Sequence, residues 1–179
     1  MAMKIKTVIA AGPRRRKRRS VVTVVRKKTE EKIRGFLLEL SRDWLLLQNG
    51  GHAKADGFRL IRKQDVEIIR NDTPPEKKSR RANGKGTGIP IEDTPSIFLQ
   101  FQATDELVIV ECEFAGHWPF TIGKVAGVRP HSVQIRNLDA LGNLEENLRE
   151  IEFRHISQIG FRESYTRIFG KFASREAET

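Results

Sequence analysis

The chain has little with which to staple itself, bind a metal or attack a substrate. Its 179 residues include one cysteine, Cys112. A single thiol excludes an internal disulfide and fits a reducing compartment. Cys112 and His117 form one sequence-local pair, His52, His131 and His155 are scattered, and neither Cys-x-x-Cys nor His-x-x-x-His occurs. The ordinary spacings of a zinc site are therefore missing. Cys112 alternates within an apolar strand pattern and reads as a small hydrophobe rather than a nucleophile. Glu145 and Glu146 read as solvation of a turn. No apolar run approaches the roughly 20 residues that span a bilayer. The stretch Val8–Gly12 is too short for a signal-peptide core. Asn83-Gly84-Lys85-Gly86-Thr87-Gly88 resembles a phosphate loop only in glycine content, because Gly86 stands where the Ser/Thr after lysine is required. These gaps lead to the expectation of a cytoplasmic protein that is not an enzyme and carries no cofactor or metal.

Charge is abundant and unevenly spread. The net charge is +10. Residues 1–34 hold 13 Lys/Arg against 2 acids, whereas residues 35–179 hold 20 against 21. A second basic stretch, residues 73–90, holds five Lys/Arg and one acid. The remaining body is then about −5. Such asymmetry points to a polyanion-binding tail on a mildly acidic body.

The body nearly says one thing twice. Residues Ile33–Asp72 and Ile122–Glu163 each open on a Gly-containing strand, Arg34–Leu38 and Ile122–Ala126. Each continues through a second apolar strand, Trp44–Gln48 or Ser132–Arg136, and a Gly/Asn/Asp-rich turn. Each closes on a matched phrase, Leu60–Ile69 or Ile151–Ile159. Gly35 precedes Asp65 by 30 residues and Gly123 precedes His155 by 32. A repeat decides architecture before any other argument. Copies of about 40 residues are near the lower limit for independent stability without staples, so a shared core is expected rather than two independent beads.

Local patterns fill in the elements. Ser20–Val25 is β-branched and reads as a strand. Phe36, Leu38 and Leu40 alternate with Leu37 and Glu39. Trp44–Leu47 is apolar without a break, as in a strand covered on both faces. Asn49-Gly50-Gly51 and Asp56-Gly57 signal turns before the strands Phe58–Arg62 and Val66–Arg70. Residues 95–103 fit a strand through Ile97, Leu99 and Phe101, or a helix face through Ile97, Phe98 and Phe101. Thr94 as N-cap and Pro95 in the first turn favour the helix. Leu107–Glu113 reads as a strand and Asp139–Asn147 as a polar turn. Tyr165, Ile168, Phe169 and Phe172 lie on one helical stripe, which is expected to dock on the body.

The fold class expected is mainly β: two SH3/Sm-like small barrels in tandem, with a short inter-repeat helix and a C-terminal helix. The divisions are a basic disordered arm, 1–19; a first barrel, 20–72; a basic flexible linker, 73–90; a helix, strand and second barrel, 91–163; and a C-terminal helix and tail, 164–179. On the Ile151–Phe161 phrase and the Tyr165–Phe172 stripe, residues 20–173 resemble uncharacterised bacterial proteins with tandem Sm-like/SH3-like barrels. The resemblance implies the fold and, through the Sm-like analogy, an RNA partner. The Asp-x-Asn of Sm-type RNA binding does not stand cleanly between strands two and three, so base readout by the barrel is not expected.

The function expected is therefore non-enzymatic nucleic-acid binding, RNA first, through Arg14, Arg15, Arg16, Lys17, Arg18 and Arg19. Lys77, Lys78, Arg80 and Arg81 extend the same path, and Trp118, between His117 and Pro119, offers a ring for base stacking. The plainer readings are a solubilising tail, a solvated spacer and a barrel cap. The alternative function is a protein-interaction or assembly module that uses free barrel edges for a protein partner or for self-association.

Overall fold

Alternation decides most of the strands. The computed structural model describes residues 20–27, 29–50, 56–72, 87–113 and 120–173. The first copy forms β1 (Val21–Arg26), β2 (Lys32–Leu40), β3 (Trp44–Asn49), β4 (Phe58–Arg62) and β5 (Val66–Asn71). Helix α1 (Thr94–Thr104) follows. The second copy forms β6 (Leu107–Glu111), β7 (Phe120–Val128), β8 (Ser132–Leu138), β9 (Leu144–Glu152) and β10 (Gln158–Phe161), then α2 (Ser164–Ala173). None of the described helices is long and apolar enough to cross a membrane.

The two copies match strand for strand. The matched phrase contains a single 3-10 turn in each, Lys63–Asp65 and Phe153–His155, joining the fourth strand to the fifth. Gly35 lies opposite Asn49, and Gly123 opposite Asn137. Both ladders then slip by one residue at the same place, between Leu37 and Glu39 and between Val125 and Gly127. That bulge breaks the β2 alternation and leaves Leu40 exposed.

The fold is mainly β, but closure differs from expectation. All ten strands form one antiparallel sheet in the order β5-β1-β2-β3-β4-β10-β6-β7-β8-β9. Within each copy the order is fifth, first, second, third, fourth. The fourth strand does not return to its own fifth strand to close a barrel. Instead β4 pairs with β10 of the other copy, Phe58 opposite Phe161 and Ile61 opposite Gln158. Among the described residues the sheet ends at β5 and β9, each paired on one side only. A strand of five residues and one of four satisfy their backbones across the copies as well as they would within one.

One core runs across this seam. Trp44, Leu46 and Leu60 pack with Val108, Val110, Val133, Ile135 and Phe161 under α1. The opposite face of β3 and β4, Leu45, Leu47 and Ile61, packs with Val22, Val24, Ile33, Val66 and Ile69. Period-two alternation thus sends β3 into two clusters, which is why Trp44–Leu47 is apolar throughout. Helix α1 buries Ile97, Phe98 and Phe101. Phe98 stacks on Phe153 at 5.8 Å, and Phe101 meets Phe161 edge-on at 5.1 Å.

Three local expectations are corrected. Asp93, not Thr94, caps α1, accepting from Ser96 N at 2.8 Å. Thr94 is already helical, and its Oγ1 accepts from Trp44 Nε1 at 3.1 Å. The polar turn ends at Asn143, and Leu144–Asn147 belong to β9, so Glu145 and Glu146 are edge-strand residues rather than turn solvation. Charge is what an exposed edge strand favours. The α2 stripe is not fully docked: Tyr165 and Ile168 are about half exposed, and Thr166 is buried instead.

The repeated glycines have a steric reason. A Cβ on Gly35 would stand 2.4 Å from the Gln48 carbonyl oxygen, and one on Gly123 would stand 2.0 Å from that of Arg136. Both obstacles are backbone. Gly35→Ala and Gly123→Ala are each expected to cost about 1–3 kcal/mol in urea unfolding. At Gly127 the added methyl meets the Gln134 side-chain oxygen at 2.9 Å, which can move. Gly127→Ala should cost clearly less; equal losses at all three would mean that the close strand approach is not what requires glycine.

Candidate functional site

The residues expected to bind nucleic acid, Arg14, Arg15, Arg16, Lys17, Arg18, Arg19, Lys77, Lys78, Arg80, Arg81 and Trp118, all lie outside the described residues. What is described is the place from which two basic segments depart. Strands β1 and β5 run antiparallel with Val22 opposite Asn71. Asp72 N donates to the Val21 carbonyl at 2.9 Å, and Thr23 Oγ1 donates to the Asp72 carboxylate. The end of residues 1–19 and the start of residues 73–86 therefore attach at one corner of the sheet. Residues 1–19 carry eight Lys/Arg and no acid, and residues 73–86 carry five Lys/Arg and one acid.

Some of the described body cations are engaged with carboxylates. Arg26, Arg34, Arg59, Lys124, Arg129, Arg154, Arg162 and Arg167 form ion pairs. Most are partly exposed and contribute little each.

The internal seam is polar at one level. The Arg26 side chain is fully buried and forks onto Glu113, Nη2 donating at 2.8 Å and Nη1 to the other oxygen. Nη1 also donates to Glu31 at 3.1 Å. Ser157 Oγ donates to the Glu111 carbonyl at 2.9 Å and to the Glu113 carboxylate. Burial by itself would raise the Glu113 pKa, but the hydrogen bonds from Arg26 and Ser157 and the Arg26 charge win, holding it at about 2. Burial raises Glu111, and the Glu113 charge adds to it against Gln158 and Arg59. Burial, followed by the Glu113 and Glu111 charges, pushes the Cys112 thiol up to about 11. A thiol held that high is protonated at neutral pH and is a poor nucleophile.

A raised folded-state pKa means that Glu111 ionisation opposes folding: its contribution is intact below the unfolded pKa and is lost as pH rises through the folded one. Glu111→Gln should therefore raise Tm at pH 8, by about 2–4 °C for each kcal/mol regained, and change it little at pH 4. A thermal melt at the two pH values checks this; a loss at pH 8 would contradict it.

Sequence reasoning missed a second constellation. In the first copy, Asn49 Nδ2 donates to Glu163 at 2.9 Å, and Arg59 donates to the same oxygen at 3.1 and 3.3 Å. Glu163 follows β10, so the carboxylate comes from the other copy. Beside it, Asp56 Oδ1 accepts from Ser164 N at 2.7 Å, Ser164 Oγ at 2.6 Å and Arg167 at 3.0 Å, anchoring the start of α2. The Ser164 hydroxyl bond leads in lowering the Asp56 pKa, against a desolvation cost.

In the second copy the equivalents of Asn49 and Arg59 are Asn137 and Arg149, and they line an open groove of about 270 Å³. Arg149 Nη1 donates to Thr121 Oγ1 at 2.8 Å. With its amide oxygen turned inward, Asn137 accepts from Arg149 Nη2 at 2.9 Å and Nε at 3.3 Å. Phe120, Tyr165 and Phe169 form the apolar wall, the last two with centroids 4.5 Å apart. Phe120 is 57% and Tyr165 49% exposed, so the wall is open to solvent. The available signal was the repeated Gly-Asn-Arg order, Gly35, Asn49, Arg59 against Gly123, Asn137, Arg149.

Among the described residues, no cluster of three or more His, Cys, Asp or Glu is arranged to hold a metal. No family model, curated protein or solved structure matches the chain.

Proposed function

We propose that the chain is a non-enzymatic nucleic-acid-binding accessory protein, RNA being the favoured polyanion, that neutralises phosphates through the basic arm Arg14–Arg19. The scaffold in this reading is a pair of SH3/Sm-like units, each opened at its fourth strand and joined by β4 and β10. Supporting the unit assignment are the repeated strand order, the shared bulge and the 3-10 turn before each fifth strand.

The observation that carries the functional reading is the shared corner. The arm and the basic segment 73–86 both attach where Val21 and Asp72 are bonded, so two cationic segments start side by side. Adjacent cationic segments raise the local density of phosphate-binding groups without any folded pocket. The body's net charge of about −5 agrees with this, since it leaves the body a weak competitor for phosphate. The test is the affinity for a single-stranded RNA of the full chain and of the chain lacking residues 1–19. Equal affinities would remove the reading.

A further inference from the structure

We propose that molecules of this chain join head to tail, the outer β9 edge of one pairing with the outer β5 edge of the next. The seam inside the molecule is the template. Each copy runs fifth, first, second, third, fourth strand, so the pairing of β4 with β10 sets the fourth strand of one copy against the fifth of the other. That contact leaves one fifth strand, β5, and one fourth strand, β9, at the two ends of the sheet among the described residues. The end strands are thus the same two kinds of strand that the seam joins. They are also longer. Four residue pairs make the seam, whereas β5 has six residues and β9 has nine. A second molecule would continue a sheet that already runs through the first, with backbone hydrogen bonds as the source of affinity.

Charge decides which edges meet. Strand β9 carries four acids, Glu145, Glu146, Glu150 and Glu152, all exposed, against the one base Arg149. Arg129 and Arg154 offset Glu150 and Glu152 in part. Two β9 strands side by side would bring four carboxylates from each molecule together, which like-charge repulsion opposes. Strand β5 ends at the corner from which residues 1–19 and 73–86 depart, with eight and five Lys/Arg and a single acid. Two β5 strands side by side would bring the basic segments of both molecules to one edge. Setting β9 on β5 instead places an acidic edge beside a basic corner. The contact is heterologous, so its repetition closes a ring or runs on as a filament.

The β9 backbone allows one edge to be blocked alone. Phe153 N donates to the His131 carbonyl at 2.9 Å. By alternation along the β8–β9 ladder, the amides of Ile151 and Arg149 also face β8, and those of Leu148, Glu150 and Glu152 face outward. Leu148 is 44% exposed. Leu148→Pro therefore removes an outward amide and no bond to β8. It leaves β5 and both basic segments unchanged, so the failure of this proposal and that of the nucleic-acid reading are separable.

The test is sedimentation of the nuclease-treated full chain, alone and mixed with Leu148→Pro. The wild-type chain is expected to form species larger than a monomer as its concentration rises. Leu148→Pro alone should stay monomeric, yet it should cap wild-type assemblies through its intact β5 and shift them to smaller species. A wild-type chain that stays monomeric would overturn the proposal. So would a Leu148→Pro chain that assembles as the wild type does, because β9 would then lie outside the contact. A Leu148→Pro chain that is monomeric and inert toward the wild type would mean that β9 pairs with β9, and would overturn it too. Leu148→Lys keeps every backbone amide and adds a cation that the basic corner repels, so it should weaken assembly about tenfold. That variant decides the matter if the proline variant does not fold; unchanged or tighter assembly in it would overturn the head-to-tail pairing.

Discussion

Removing residues 1–19 is expected to abolish most of the chain's affinity for RNA and most of its salt dependence. The arm holds eight Lys/Arg and no acid, six of the cations consecutive from Arg14 to Arg19. If those six each neutralise one phosphate of a single strand, the slope of log affinity against log salt is about −4. Raising salt from 50 to 200 mM should then weaken full-chain binding roughly 300-fold. The deleted chain retains Lys77, Lys78, Arg80, Arg81 and Lys85, offset by Glu76, beside an acidic body. Its slope should fall to no more than about half, with correspondingly weaker binding at 50 mM salt. Filter binding of a random-sequence RNA across a salt series measures both quantities. A deleted chain with unchanged slope would place the phosphate contacts on the body. Loss that appears with one RNA sequence and not another would indicate base readout, which the arm's chemistry does not supply.

What the sequence made legible was whatever depends on local period. Trp44–Leu47, the alternation of Val133 and Ile135, and the Ile97-Phe98-Phe101 helix face all lie where their spacing put them. The repeat was legible too, down to Gly35 and Gly123, because a backbone approach that admits no Cβ leaves only one residue type to use. The joining of the copies was not legible. It depends on which partner a five-residue β4 selects, and both candidates, β5 and β10, are short strands of six and four residues. The site was half visible. The basic arm announces itself by charge, and its reading rests there still, since none of its residues is described. The groove was hidden because Asn137, Arg149 and Tyr165 belong to three elements. Their convergence is set by β8·β9 pairing and by the anchoring of α2 on Asp56, neither of which has a local signature. Polar residues of the edge strand, Glu145 above all, look like turn in the sequence because an edge and a turn share the same preference for charge.

Glu113→Ala should destabilise the protein by about 3 kcal/mol, because it strands a guanidinium that cannot leave the seam. The Arg26 side chain is wholly buried, whereas Glu113 retains 22% of its side-chain surface, so the loss sits at the lower end for a broken buried pair. Glu31 bonds Arg26 as well but is 41% exposed, and its screened charge compensates only in part. Two further results would distinguish a stranded charge from lost packing. Pairing Arg26→Met with Glu113→Gln removes the charge together with its partner and should recover most of the stability. The pH dependence supplies the other. The folded-state pKa of Glu113 is depressed to about 2 from an ordinary 4.5, so its contribution is complete above the unfolded value and is lost as pH falls through the folded one. The wild-type chain should therefore lose stability between about pH 5 and pH 2 more steeply than Glu113→Gln, which has no proton to take up there. Urea unfolding at pH 7, 4 and 2.5 measures the difference. Parallel losses in the two proteins would show that the seam does not depend on this carboxylate. Because Arg26 belongs to the first copy and Glu113 and Ser157 to the second, the same measurement tests whether the two copies unfold together. A single transition that shifts as a whole in Glu113→Ala is the expected form, since the core beneath the pair already runs from Trp44 to Phe161.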